Sequence, residues 1–222
     1  ALFLILFILS INSPKNRECL ADNKWYKSRK VDYYSLGKFE EKPKYLIIHH
    51  SQANSIKQLK KIFEDYGVSC HYFIDNKGKI HKAIDTKCVA YHAGPSYWNG
   101  DTKLNTSSIC IEILNKNPFK KDITNKQYKT LIKLSKKIMK EENIAKYNVL
   151  SHSDIAIFAD NEINQEAGLT NLSNRKQDIS YLFRWKKLAK KGVGFWYDEE
   201  GITKNDIVLF YFGDQNPEIK EI

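Results

Sequence analysis

His49 ends the apolar run Tyr45-Leu46-Ile47-Ile48, and His152 follows a second such run at Tyr147–Ser151. β-branched runs of this kind form strands, so both imidazoles are placed at sheet edges rather than on a helix. Glu112 is a lone carboxylate inside the apolar strand Ser108-Ile109-Cys110-Ile111-Glu112-Ile113. Lys176 and Asp178 stand two residues apart in Arg175-Lys176-Gln177-Asp178, on the same side of an extended chain. A zinc ion that activates water needs three nitrogen or oxygen ligands, an open position and a nearby carboxylate to take the proton. These four stretches contain that inventory.

The elements that must position these groups alternate along the chain. Lys44–His50 reads as a buried strand. Ser55–Tyr66 carries Ile56, Leu59, Ile62, Phe63 and Tyr66 at helical spacing, with Ser55 and Gln58 as a capping box and Gly67 as the stop. Ser69–Asp75 and Lys79–Ala83 flank Asn76-Lys77-Gly78, a hairpin signal. Residues 93–105, with Gly94, Pro95 and Gly100, form a long loop of the kind that often carries function. Ser108–Leu114 is a strand. Thr124–Glu142 is the main helix, capped by Thr124 and Gln127, with Tyr128, Leu131, Ile132, Ser135 and Met139 on one face. Tyr147–Ser151 is a further strand and Tyr181–Lys190 a last helix. The pattern predicts an α/β domain with a mixed central sheet flanked by helices.

With 222 residues, 42% hydrophobic and 13% aromatic, the chain can bury a full core and is not disordered by composition. Its net charge of +10 fits either an anionic polymer or surface as partner, or a lysine-rich surface with no partner. No nucleic-acid motif accompanies the charge, so DNA and RNA are not expected partners. Cys19, Cys70, Cys88 and Cys110 show no C-x-x-C pairing. Cys70 and Cys110 lie in apolar strand patterns where a buried thiol acts as a small hydrophobe; a disulfide is left open. The run Ala1–Ile11 is unbroken apolar, too short to span a bilayer, and fits the core of a secretory signal. Export is the expectation from this run, with a cytoplasmic location as the alternative.

Taken together, Leu46-Ile47-Ile48-His49, Ser69-Cys70-His71, Tyr91-His92-Ala93-Gly94-Pro95-Ser96-Tyr97-Trp98, Asn105-Thr106-Ser107-Ser108-Ile109-Cys110-Ile111-Glu112, Ser151-His152-Ser153-Asp154 and Arg175-Lys176-Gln177-Asp178 resemble the zinc N-acetylmuramoyl-L-alanine amidases. This is the amidase-2 family, related in fold to the peptidoglycan recognition proteins. The likeness runs from about Lys44 to Asp198. It implies cleavage of the amide between N-acetylmuramic acid, or its 1,6-anhydro form, and L-alanine of the stem peptide. By the same resemblance His49, His152 and Asp178 are the Zn2+ ligands, Glu112 the general base and Lys176 the group that stabilises the oxyanion. His50 is the rival of His49 for the metal, but adjacent strand residues point to opposite faces, so only one can serve. His71 and His92 are placed in or near the cleft, contacting either a ligand or the substrate. Trp98 is a candidate substrate platform or a core filler, and Asn105 either touches substrate or fixes its loop.

The sequence departs from the family in two respects. Where the family passes from His-x-Asp-Ile-Ala through a Pro into Arg-Lys-x-Asp-Pro-Gly, this chain inserts residues 157–173, and Asp178 is followed by Ile179-Ser180. The expected organisation is an apolar start and polar arm over 1–43, a catalytic domain over 44–198 with the insertion, and a tail over 199–222. Phe195-Trp196-Tyr197 resembles the end of the envelope branch. The expected partner is peptidoglycan or a muropeptide, with peripheral envelope association. The rival reading is a muropeptide-binding protein that does not cut, its metal site disrupted by the insertion.

Overall fold

The computed structural model describes Cys19 and residues 35–156, 178–180 and 182–196. The apolar start, the insertion 157–173, Lys176 and the tail from Tyr197 lie outside the described residues.

Nine strands are described: β1 Ser35–Lys38, β2 Tyr45–Ser51, β3 Tyr72–Ile74, β4 Ile80–Lys82, β5 Cys88–Ala90, β6 Tyr97–Trp98, β7 Asp101–Thr102, β8 Ser108–Leu114 and β9 Val149–Ser151. Four α-helices accompany them: α1 Ile56–Tyr66, α2 Asn125–Glu142, α3 His152–Ile155 and α4 Trp185–Ala189. The central sheet has the order β4-β3-β8-β2-β9. β2 pairs in parallel with β8 and β9, β3 in parallel with β8, and β4 antiparallel to β3. The mixed sheet with flanking helices is thus the one expected.

Strand alternation divides the sheet into two faces. Leu46 and Ile48 of β2, with Ile109, Ile111 and Ile113 of β8, pack against α2 and α4 through Tyr128, Leu131, Ile138, Trp185 and Leu188. Ile47 joins Trp98, Leu104 and Leu150 in another cluster, and Cys110 and Leu114 join Leu59 and Phe63 of α1. His49 and Glu112 fall in step with Ile47 and Cys110. Two polar side chains therefore project from the α1 side of an otherwise apolar sheet.

The helix starts follow their caps. Thr124 and Gln127 form the expected reciprocal box before α2, which satisfies two otherwise orphaned backbone N–H groups. At α1 the Ser55 hydroxyl accepts Gln58 N–H, but Gln58 Oε1 reaches back to Asn54 N–H, one residue earlier than in a standard box. Gly67 closes α1 at φ 63°, in the left-handed region where glycine carries no Cβ penalty. The face of α2 is shifted from the predicted one: Leu134 and Ile138 are buried, and Ile132 and Met139 only partly so.

Three further differences from the sequence reading stand out. The arm is not featureless, because β1 pairs with β5 and Cys19 is bonded to Cys88. Cys70 and Cys110 are not thiols but a second disulfide, tying the start of the β3 segment to β8. The long loop contains the β6–β7 hairpin and a 3-10 turn at Leu104–Thr106. These strands of two to four residues are too short to leave a periodic signal.

Candidate metal centre and active site

The parallel strands β2, β8 and β9 end at one edge of the sheet, and the candidate residues collect there. In the β2–β8 register His49 is paired with Glu112. Neighbouring strands lie about 4.8 Å apart, so two paired side chains on one face of a parallel ladder are side by side. His152 follows β9 directly. It lies at the sheet edge, as the sequence suggested, but it is on a helix after all, since it opens the one-turn helix α3. Ser151 is the cap: its hydroxyl accepts Asp154 N–H while Asp154 Oδ2 accepts Ser151 N–H.

Asp178, 26 residues beyond His152 and 129 beyond His49, comes back to both. Its Oδ2 lies 3.1 Å from His49 Nδ1 and 3.3 Å from His152 Nδ1. The ligand atoms of these three residues lie within 4.8 Å of one another. Donors around a tetrahedral ion with bonds near 2.0–2.1 Å are spaced about 3.3 Å apart, which these separations match. Two other groups of potential ligands contain Cys110, whose sulfur is committed to a disulfide.

The second ring nitrogens show that the donor set fits a metal ion. His152 Nε2 lies 3.0 Å from the carbonyl oxygen of Ala93, an acceptor only, so Nε2 carries the proton and Nδ1 presents a lone pair. His49 Nε2 lies 3.1 Å from His92 Nδ1, and His92 Nε2 lies 3.2 Å from the Ser108 hydroxyl, which donates to the carbonyl of Leu104. Read from the carbonyl end, that chain has a single direction. Ser108 donates to Leu104 and accepts from His92 Nε2–H; His92 Nδ1 then accepts from His49 Nε2–H. His49 Nδ1 is again left with its lone pair facing Asp178.

Burial acts in the same sense. His92 is pushed well below the usual imidazole range, first by burial and then by the neighbouring His49, His71 and His152 rings. Burial opposes ionisation of Asp178, but proton sharing with His152 and His49 outweighs it and holds the carboxyl well below its usual range; a bound cation would take the place of those protons and leave both imidazoles neutral. An ionised carboxylate and two neutral imidazoles are what a divalent metal requires.

These groups line a cleft of about 580 Å³. Glu112, 6% exposed, faces it with His49, His152 and Asp178, while Ile62, Phe63, Val68 and Phe119 supply apolar walls. A buried carboxylate beside a metal position, lining a partly apolar cleft, is suited to exchanging a proton with water.

The structure brings His49, His152, Asp178 and Glu112 together, despite the insertion between two of them. The displacement of Asp178 on which the rival reading depends does not occur. Lys176 lies outside the described residues. The other four candidates are not cleft-lining contacts, apart from His92. His71 is fully buried: its Nδ1 accepts Cys110 N–H at 3.0 Å and its Nε2 lies 2.8 Å from Cys88 O. Trp98, 2% exposed, belongs to the core with Ile47, Leu104 and Leu150 and is not a platform. Asn105 Oδ1 accepts the N–H groups of both His92 and Ala93, at 2.9 and 2.7 Å. It thereby fixes the two residues that orient His49 and His152. The sequence reading gave Ala93 and Ser108 no role in the site, since an alanine carbonyl and a strand serine carry no chemical signature.

The chain is similar to several known proteins. The pattern of the Amidase_2 family, N-acetylmuramoyl-L-alanine amidase, matches residues 39–166. Over 192 residues the chain is 30% identical to N-acetylmuramoyl-L-alanine amidase AmiD of Escherichia coli, covering 78% of this chain and 60% of that protein. A shorter match of 92 residues, 36% identical, is to 1,6-anhydro-N-acetylmuramyl-L-alanine amidase AmpD of Haemophilus influenzae, covering 40% of this chain and 48% of that one. Among solved structures, the complex of E. coli AmiD with anhydro-N-acetylmuramic acid-L-Ala-D-gamma-Glu-L-Lys superposes with a TM-score of 0.57 at 30% identity, over 71% of this chain and 60% of that one. The chain thus spans about half to three fifths of these curated relatives. Asp178 lies beyond the family match, so its place in the site rests on the tertiary structure.

Proposed function

Because the chain belongs to the N-acetylmuramoyl-L-alanine amidase family, we propose that it is a zinc-dependent hydrolase of peptidoglycan. The bond cleaved is the amide between N-acetylmuramic acid, or its 1,6-anhydro form, and the L-alanine of the stem peptide. The observation that carries this reading is the convergence of His49 Nδ1 and His152 Nδ1 on one oxygen of Asp178, in a cleft that Glu112 also lines. The relatives support the substrate class, since the solved AmiD structure holds an anhydro-muropeptide described as its substrate.

His49, His152 and Asp178 would hold the ion, and their nitrogen and oxygen donors suit zinc. Zinc bound by three protein ligands supplies a Lewis acid and brings water toward ionisation near neutral pH. Glu112 accepts a proton from the attacking water. As the carbon–nitrogen bond breaks, Glu112 returns that proton to the leaving amine of L-alanine. Lys176, by its place in Arg175-Lys176-Gln177-Asp178, is assigned to stabilise the oxyanion that develops on the carbonyl. The apolar walls of the cleft keep bulk water from competing for these charges.

An extracytoplasmic place in a bacterial envelope goes with this function. Two disulfides, Cys19–Cys88 and Cys70–Cys110, support it, because such bonds persist in oxidising compartments. The apolar run Ala1–Ile11 supports export as well.

The test is to purify the protein, measure its zinc content, and follow release of the free L-alanine amine from anhydro-muropeptides with and without a chelator. Zinc near one per chain and chelator-sensitive release are expected. A protein that binds the muropeptide without zinc and without releasing the amine would leave the recognition reading instead.

A further inference from the structure

Asp178 enters the metal position without the Asp-Pro-Gly turn, since Ile179 and Ser180 follow it. Another device must therefore aim its carboxylate. Apart from the Oδ2 contacts with His49 and His152, three hydrogen bonds tie the segment to β2 and α3, and two of them involve His50. The backbone N–H of His50 donates to Asp178 Oδ1 at 2.8 Å. The His50 ring accepts the backbone N–H of Ser180 on Nε2, at 2.9 Å. The third contact runs from Ser153 N–H to the Asp178 carbonyl oxygen.

His50 follows His49 in β2 and so points to the opposite face of the strand. It cannot share the metal with its neighbour. Its side chain is 5% exposed and meets Phe119 edge-on, with ring centroids 5.7 Å apart. With Nε2 accepting, the neutral ring carries its proton on Nδ1. That nitrogen has no aligned hydrogen-bond partner among the described residues and lies 3.3 Å from Asp178 Oδ1. An imidazole buried against one ligand, with one nitrogen bonded to the backbone just beyond it, is placed to hold that ligand.

We propose that His50 is a positioning residue for Asp178. Its ring accepts Ser180 N–H and so fixes the backbone after the aspartate, while its backbone N–H donates to Oδ1, which leaves Oδ2 turned toward His49 and His152. The adjacent histidines thus divide the work, one holding the ion and the other holding its carboxylate partner. This role rests on the metalloamidase reading above.

The experiment is zinc affinity of the full chain, measured by competition with a chromophoric chelator, for wild type, His50→Gln, His50→Asn and His50→Leu. Glutamine can bring an amide oxygen near the place of Nε2 and accept Ser180 N–H; asparagine is too short and leucine cannot accept. Wild type and His50→Gln should bind within about threefold of each other. His50→Asn and His50→Leu should bind about ten- to a hundredfold more weakly, as when an outer-shell partner is lost. The metal-free forms of His50→Gln and His50→Asn should melt at similar temperatures. Equal zinc affinity of His50→Gln and His50→Asn would overturn the proposal, even if His50→Leu failed to fold. A wild-type chain that bound no zinc would overturn the metalloamidase reading itself and leave His50 no ligand to position.

Discussion

His49 Nε2 lies 3.1 Å from His92 Nδ1, so the strand residue that faces the metal position takes its tautomer from a residue 43 positions away. The Ser108 hydroxyl completes the chain on the far side of His92. An imidazole held in this way keeps Nδ1 unprotonated and aimed at Asp178. Replacing His92 by leucine should weaken zinc binding about ten- to a hundredfold. His92→Asn, which keeps an acceptor near the Nδ1 position, should lose much less. Chelator competition on the purified variants checks both.

Glu112 and Asp178 line the same cleft but have separable roles. Glu112→Gln keeps the shape and removes the base, so zinc content should stay at the wild-type level while amine release falls about 10²- to 10⁴-fold. Asp178→Asn removes an anionic ligand and should lose both metal and turnover. Normal turnover by the Glu112 variant would show that another group takes the proton.

The two disulfides close loops between residues 69 and 40 positions apart in sequence. On chain-entropy grounds each is worth about 4 kcal/mol. The Cys19→Ser/Cys88→Ser double variant should unfold at lower denaturant than wild type while retaining the metal site, since neither residue touches it. Cys110 lies two residues from Glu112 on the same face of β8, so the Cys70→Ser/Cys110→Ser variant should also weaken zinc binding. Chemical denaturation and zinc competition on the two variants separate these effects.

His71 is fully buried, and burial lowers its pKa from the ordinary 6.5 to about 4. Between these values the unfolded chain binds more protons than the folded one, so stability must rise with pH across the window. Conversely, stability should fall as pH drops from about 6.5 toward 4, by on the order of 3 kcal/mol from this group alone. Urea denaturation of the metal-free protein from pH 4 to 8 would measure the slope. His71→Gln should be less stable at pH 7 and show a flatter profile.

Much of the scaffold is legible in the chain because it rests on local signals. Thr124 and Gln127 announce the start of α2, the 3.6-residue period gives α1 and α2, and the run from Ser108 to Leu114 gives β8 without adjustment. Short elements are not legible in the same way. A two-residue strand such as β6 has no period, and the helix begun by His152 is a single turn set by Ser151 and Asp154. The disulfide partners of Cys19 and Cys70 could not be read either, because pairing depends on which strands become neighbours.

The sequence by itself determined the chemical inventory: two imidazoles, a strand carboxylate and an aspartate, each beside a recognisable local element. Only the tertiary structure decided that Asp178 returns across the sheet edge to His49 and His152, that His92 and Ala93 orient those rings, and that Trp98 is core. The reason is physical. Side-chain type and short-range periodicity act within a few residues and are written along the chain. Hydrogen-bond direction between groups 43 or 129 positions apart exists only once strand register has placed them together.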